Sequence, residues 1–237
     1  MKINSVAIVA GGLGLRMRKL FDEIPKIILP INGKPFLAWV LDEFEKIGFT
    51  SIHLLLGYKA SEIWDVAQKW LNETETRKNK ISLSATIEPR PIGAWQSLLL
   101  AKEFLLDYFF VTYGDVFPTV NIPNMIENYK LQYDGCMAIC PREIANEKGN
   151  IEINDEAVTN YNKNENQLPF VDVSAVLLNK KVLSIPFDND KEILQQIVKN
   201  SKIQAYIHSK PSKHIGEPEA YYNFLNWIKI ERGLENE

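Results

Sequence analysis

Three glycines and two cations near the start of the chain have the types and spacing to hold phosphate. Residues 6–10 (Val-Ala-Ile-Val-Ala) are apolar and lead into Gly11-Gly12-Leu13-Gly14-Leu15-Arg16, and Lys26 follows the arginine by ten residues. The apolar run predicts a buried parallel strand. Gly11, Gly12 and Gly14 carry no Cβ, so the backbone beyond Ala10 can turn sharply and bring its N–H groups close to a phosphate. Arg16 and Lys26 add fixed positive charge in the same place. Together these residues predict that a nucleoside triphosphate is handled at the end of the first strand. The pattern is not the dinucleotide fingerprint, because Met17 stands where a third glycine is required. Nor is it a P-loop, because no Gly-Lys-Ser/Thr follows.

Two further strand ends carry groups of the right chemistry. Tyr108-Phe109-Phe110-Val111-Thr112-Tyr113 runs into Gly114-Asp115. A carboxylate there, beside a triphosphate, suits a hard cation that prefers oxygen ligands. Glu88-Pro89-Arg90-Pro91-Ile92-Gly93 closes another strand. This segment resembles the E-x-x-P-x-G loop that faces the base in the sugar-1-phosphate nucleotidyltransferases, and the resemblance implies that Gly93 lets a base approach the backbone. Glu88 either accepts a hydrogen bond from a base or ribose, or caps its own loop. Trp95, just beyond, belongs to the core or to the wall of a base pocket.

Alternating elements must position these groups. Strands are predicted at 6–10, Ser51–Leu56, 81–87 and 108–112. Helices are predicted at 35–46, from Ser61 as N-cap to about 71, and at 94–104. Such alternation implies right-handed βαβ units and a mostly parallel sheet, whose ligands bind outside the carboxyl ends of the strands. The second half changes character. Strands at 134–140, 150–153, 158–161 and 171–178 are joined by polar, Asn-rich loops and predict a small antiparallel lobe over the crevice. A helix at 191–198, a strand at Ile203–Ile207 and a closing helix at 218–230 complete the chain. The expected organisation is a single domain over 1–237, with a nucleotide-binding half at 1–133 and an acceptor-binding half at 134–237.

Composition narrows the partners. The chain has 237 residues, 46% of them hydrophobic, and a formal net charge of −3. That supports a sizeable α/β core. No basic run marks a nucleic-acid partner, and no segment approaches the length of a membrane span. Cys136 and Cys140 fall on one predicted strand, too far apart to bond, and read as buried thiols of a reducing cytoplasm.

The opening motif resembles that of the sugar-1-phosphate nucleotidyltransferases, G-G-x-G-x-R-L followed by P-K ten residues after the arginine. Here Gly11 to Met17 and Pro25-Lys26 carry that pattern, and Pro30-Ile31-Asn32-Gly33-Lys34-Pro35 continues it. Within the family the stretch is most similar to the heptose-1-phosphate guanylyltransferases. The resemblance implies an α/β fold, a three-layer Rossmann-like sheet of the nucleotide-diphospho-sugar transferase type with an antiparallel acceptor-binding lobe. It implies that a nucleoside triphosphate and a phosphorylated small-molecule acceptor are joined with release of pyrophosphate, as in the making of sugars for surface polysaccharides. Arg16 would meet the leaving pyrophosphate, Lys26 the α-phosphate, and Asp115 a magnesium ion. Ala10, Gly11, Gly12, Gly14, Glu88, Gly93 and Gly114 would line the nucleotide. Lys163 matches the family's V-x-x-F-x-E-K, where the lysine binds the sugar's phosphate, although Asn162 replaces the glutamate and a solvated loop would read the same way. Many members associate with copies of themselves, and no segment of this chain marks such an interface.

Two departures bear on the acceptor and the metal. Val173-Ser174-Ala175-Val176-Leu177 stands against the family's N-A-G-[IV]-Y, so the methyl of Ala175 is expected to crowd the acceptor. His214-Ile215-Gly216-Glu217-Pro218 keeps the frame of D-[IV]-G-[TI]-P but replaces the second metal-ligating aspartate with His214. As a ligand, an imidazole suits manganese or another transition metal better than magnesium. It could instead bind phosphate as a cation, or be structural. Three readings follow: synthesis of a nucleotide sugar, including GDP-heptose; cytidylyl transfer to a non-sugar phosphate ester; and a catalytically impaired nucleotide-binding regulator.

Overall fold

The structure, a computed structural model, describes residues 3–17, 21, 24–90, 92–184 and 193–233, without the side chains of Trp95 and Ile193. In chain order its strands are β1 (Ser5–Ala10), β2 (Pro30–Ile31), β3 (Lys34–Pro35), β4 (Ser51–Leu56), β5 (Ser82–Ile87), β6 (Tyr108–Tyr113), β7 (Val116–Phe117), β8 (Gly135–Pro141), β9 (Ile151–Asn154), β10 (Ala157–Tyr161), β11 (Phe170–Asn179), β12 (Ile203–Ile207) and β13 (Lys213–His214). The helices are α1 (Phe36–Ile47), α2 (Ala60–Asn72), α3 (Glu75–Lys80), α4 (Ala94–Leu100), α5 (Ile122–Glu127), α6 (Arg142–Ala145), α7 (Ile193–Asn200) and α8 (Pro218–Arg232).

Nine strands form one sheet in the order β5-β4-β1-β6-β11-β8-β12-β10-β9. β5, β4, β1 and β6 run parallel. From β1 the chain winds outward through β4 and β5, then returns to place β6 on the other side of β1. The connections therefore diverge at the carboxyl ends of β1 and β6, and a crevice must open there. The strands of the second half extend the same sheet. β11 runs antiparallel between β6 and β8, β12 is parallel to β8, and β10 and β9 form the antiparallel edge.

The apolar run of β1 has a core on each face. Val6 and Ile8 enter a cluster with Phe36, Leu41, Trp70 and Phe224, under α1, α2 and α8. Ala7 enters the other, with Leu98 of α4 and Ile197 of α7. This is the three-layer arrangement that alternating elements dictate. α1 stops at Gly48, whose φ of 104° ends the helix with a left-handed residue. Among the described residues no helix is long and apolar enough to cross a membrane. Cys136 and Cys140 are both free and buried, and burial pushes the Cys136 thiol up to about 12.

Several local expectations change. Ser61 is not the cap of α2: Lys59, left-handed at φ 51°, holds that position with no side-chain hydrogen bond. The expected helix at 94–104 divides into α4 and a 3₁₀ turn over Lys102–Phe104. The expected helix at 191–198 is described from Ile193 onward. Residues 191–192 lie outside the described residues, as does the Trp95 side chain. On β4, the buried His53 has its ring nitrogens 2.7 Å from Ser84 Oγ and 2.8 Å from Thr86 Oγ1, and burial lowers its pKa to about 4.

Candidate active site

The floor of the crevice is backbone held at close quarters. A Cβ on Gly11 would lie 2.2 Å from Glu88 Oε1, and one on Gly57 would lie 2.4 Å from the same atom. The two glycines thus admit the Glu88 carboxylate between the ends of β1 and β4. Its Oε2 accepts from Ser97 Oγ at 2.9 Å and from the Ile92 amide at 3.3 Å. These are the contacts of a loop cap. It shapes the cradle and ties the β5–α4 loop to α4.

The second wall comes from β6. The Gly114 amide donates to Val9 O at 2.8 Å. A Cβ there would meet Ile27 Cδ1 at 2.7 Å and Val9 O at 3.1 Å, so only glycine lets β6 end this close to β1. Asp115 then emerges opposite the 3₁₀ turn Lys26–Ile28, and Lys26 Nζ donates to Asp115 Oδ2 at 2.5 Å. Both side chains are largely buried, at 24% and 17% exposure. A cation and a carboxylate so placed hold each other ready until phosphates and a counter-ion compete for them.

Ala10, Gly11, Gly12, Lys26, Glu88, Gly93, Gly114 and Asp115 surround one cavity of about 290 Å³. Arg16, Lys163 and His214 stand across from them, around a space of about 540 Å³ that shares Lys26, Tyr113 and Asp115 with the first. The two spaces are one crevice, and nearly all the expected site residues meet in it. Gly14 is left-handed at φ 62°, and a Cβ there would lie 3.7 Å from the Lys26 stem. Arg16 is 68% exposed and pairs with Glu217, the residue that precedes α8. An exposed pair of this kind contributes about 0–1 kcal/mol, so a triphosphate that takes two parallel hydrogen bonds can displace it.

Ala175 is not in the crevice. Between Asp172 and Val176, β11 loses register against β8, and Ser174 takes φ 59°. Along β11 the faces still alternate, so Asp172 and Ser174 line the crevice while Ala175, with Val173 and Leu177, is buried in the core beneath it. The left-handed residue marks where glycine fits most easily. The family's Asn-Ala-Gly therefore falls on Asp172-Val173-Ser174, one residue before the expected register. Asp172 is a crevice carboxylate that sequence reasoning did not single out. Its Oδ1 accepts from the Ser174 amide at 2.7 Å, Tyr161 lies 3.5 Å from Oδ2, and burial raises its pKa to about 6.

His214 Nδ1 accepts from the Gly216 amide at 3.3 Å, a contact that puts the proton of the neutral ring on Nε2. A methyl on Gly216 would sit 3.0 Å from Asp115 Oδ2, 3.5 Å from His214 Nδ1 and 3.9 Å from an Arg16 terminal nitrogen, so these groups ring one small space. Among the described residues no three of His, Cys, Asp and Glu gather as a metal cage. Asp115 alone does fit magnesium, which is commonly held by one or two carboxylates together with substrate phosphates.

The comparisons with known proteins agree with this geometry. The model of the MobA-like NTP transferase domain matches residues 6–148. D-glycero-alpha-D-manno-heptose 1-phosphate guanylyltransferase of Campylobacter jejuni is 25% identical over 92% of this chain and 97% of its own length. A probable glucose-1-phosphate cytidylyltransferase of Bacillus subtilis is 24% identical over 95% and 94%. The crystal structure of HddC from Yersinia pseudotuberculosis superposes with a TM-score of 0.79 at 26% identity, covering 97% of this chain and all of that one, and it is also known complexed with GMP-PN. With its strand-end glycines, Lys26 and Asp115 in one crevice, the chain belongs to the MobA-like NTP transferase domain family and is a nucleotidyltransferase.

Proposed function

We propose that this enzyme joins a sugar 1-phosphate to a nucleoside triphosphate, with GTP and a heptose 1-phosphate as the favoured pair, and so makes a nucleoside diphosphate sugar. The observation that carries the reading is the single crevice in which Lys26 and Asp115 lie between the glycine cradle and a second, polar space containing Lys163, Asp172 and Ser174. Two phosphate-bearing substrates need that layout. The guanylyltransferases of C. jejuni and Aneurinibacillus thermoaerophilus, similar over 90% or more of this chain, support the choice of base and sugar.

In the proposed reaction, a phosphate oxygen of the sugar 1-phosphate attacks the α-phosphorus of the nucleotide. The new P–O bond forms as the bond to the β-phosphate breaks, and pyrophosphate leaves with the electron pair. The attacking oxygen is already an anion, so the protein needs no general base. Its work is alignment and neutralisation of charge. The Gly11-Gly12 backbone cradles the nucleotide, Lys26 faces the α-phosphate, and Arg16 leaves Glu217 to hold the β- and γ-phosphates. A magnesium ion held by Asp115 and the phosphates would supply charge neutralisation on the triphosphate. His214 turns Nε2–H toward phosphate, and Lys163 receives the acceptor's phosphate. The two buried free thiols fit a reducing compartment such as the cytoplasm.

The test is pyrophosphate release, with four nucleoside triphosphates crossed with heptose, mannose and glucose 1-phosphates and with phosphocholine. Release with GTP that depends on a sugar 1-phosphate is expected. Release with CTP and phosphocholine alone would replace this reading with cytidylyl transfer to a non-sugar ester. Tight nucleotide binding without release from any pair would make the chain a nucleotide-binding regulator.

A further inference from the structure

A second cavity, of about 530 Å³, lies on the other side of the β7–β13 ribbon from the crevice. It is larger than the cavity over the glycine cradle and within the range of small-molecule sites. Its walls are the last turns of α1 and α8, the ribbon and the segment after β7. Phe117 and Trp227 form the apolar side, with ring centroids 5.5 Å apart. Four cations, Lys46, Lys210, Lys213 and Arg232, line it against two carboxylates, Glu43 and Glu231. Glu43 is already taken, since it pairs with both Lys46 and Arg232. Among the described residues neither Lys210 nor Lys213 pairs with a carboxylate. Lys213 Nζ instead lies 5.7 Å from the Trp227 ring centroid. Arg232 Nε is buried without a hydrogen-bond partner. An aromatic wall beside two unneutralised ammonium groups suits a planar ring joined to a phosphate.

We propose that this cavity is a second ligand site, for a nucleotide whose ring lies on Trp227 and whose phosphate meets Lys210 and Lys213. The proposal is independent of which sugar the crevice accepts. The ribbon gives the site a route to the chemistry. Lys213 pairs with Phe117 and His214 with Val116. Phe117 and Lys213 face this cavity, whereas Val116 and His214 face the crevice. An occupant here therefore bears on the strands that follow Asp115 and carry His214.

The experiment is calorimetric titration of the full chain with GMP, and of the Lys210→Ala/Lys213→Ala variant, with guanosine and inorganic phosphate as the two halves of the probe. Both lysines are side chains at the protein surface, so the variant is expected to melt with the wild type and to keep its basal turnover. Two GMP sites per wild-type chain are expected. In the variant one remains and the other is weakened at least about tenfold. One site per wild-type chain, or two unchanged sites in the variant, overturns the proposal. So does inorganic phosphate that fills the second site as tightly as GMP, since the aromatic wall would then contribute nothing. Sedimentation that shows a dimer lost on Lys210→Glu/Lys213→Glu, with one GMP site per chain, would make this face a self-association surface instead.

Discussion

On the side proposed for the nucleotide the crevice is built of backbone, and on the side proposed for the acceptor it is built of side chains. Gly11, Gly57 and Gly114 set the first by letting strand ends approach to distances no Cβ would allow. The second is lined by Tyr161 at the end of β10, Lys163 in the turn after it, and Asp172 and Ser174 at the bulge of β11. A cradle of amides binds any triphosphate, because every peptide offers the same donor. A wall of side chains can be altered one residue at a time. The comparison explains why this chain keeps its family's pattern at residues 11–26 yet departs from it at Asp172, Ser174 and His214.

The largest effect should come where the two sides meet. Asp115→Ala removes the carboxylate proposed to hold the metal and the partner of Lys26. We expect kcat for pyrophosphate release to fall by about 10²–10³, the loss typical of one preorganised charge-stabilising group. Turnover within threefold of wild type would put the reacting phosphates elsewhere.

Much of the backbone side was legible in the sequence, and the reason is physical. A strand that ends in glycines has few folded solutions, so Gly11, Gly12 and Gly114 could be placed from the pattern alone. The acceptor side was legible only in outline. Lys163 could be seen from its spacing. The bulge at Ser174 could not, because strand pairing read from sequence assumes an unbroken ladder, whereas β11 takes four steps from Asp172 to Val176 against two on β8, with Asp172 and Ser174 lining the crevice and Ala175 in the core. The ribbon of β7 and β13 consists of two-residue strands 96 residues apart, too short for any periodicity. Ser84 and Thr86, which satisfy His53, sit on the neighbouring strand and are invisible until that strand is paired.

The backbone side can be challenged on its own. Gly11→Ala drives a methyl into the Glu88 carboxylate, and overpacking of this kind costs about 1–3 kcal/mol. Denaturant melts of Gly11→Ala, Glu88→Ala and the double variant should be strongly non-additive, with the smaller side chain at 88 relieving the clash. Additive costs would mean that the two residues are not in contact. The acceptor side should respond differently. Lys163→Ala should raise KM for the acceptor about tenfold and leave KM for the nucleotide unchanged, as expected for loss of a phosphate contact. Ala175→Gly should lower stability and leave both KM values alone, which tests the corrected register directly. His214→Asp should lower the magnesium concentration needed for half-maximal rate by about tenfold, since it adds a carboxylate beside Asp115. An unchanged magnesium response would place residue 214 outside reach of the ion.

The mildest prediction concerns Asp172 and separates binding from stability. Burial holds its folded pKa near 6, above the ordinary aspartate value of 3.8. The folded protein therefore binds this proton more tightly than the unfolded chain. The stability Asp172 contributes is fully present below pH 3.8 and is lost as pH rises to about 6. Above that the folded state carries a buried anion, with a cost of at most about 3 kcal/mol. Asp172→Asn keeps an oxygen for the Ser174 amide and removes the charge. The variant should be more stable than wild type by about 1 kcal/mol at pH 8, and the difference should shrink toward pH 4. Its KM for the acceptor should rise at pH 8, where wild-type Asp172 is a full acceptor of hydrogen bonds. A stability gain without a change in KM would make Asp172 a strained support for the bulge. A change in KM together with that gain would mean that the chain keeps a costly anion in its core because the acceptor needs it.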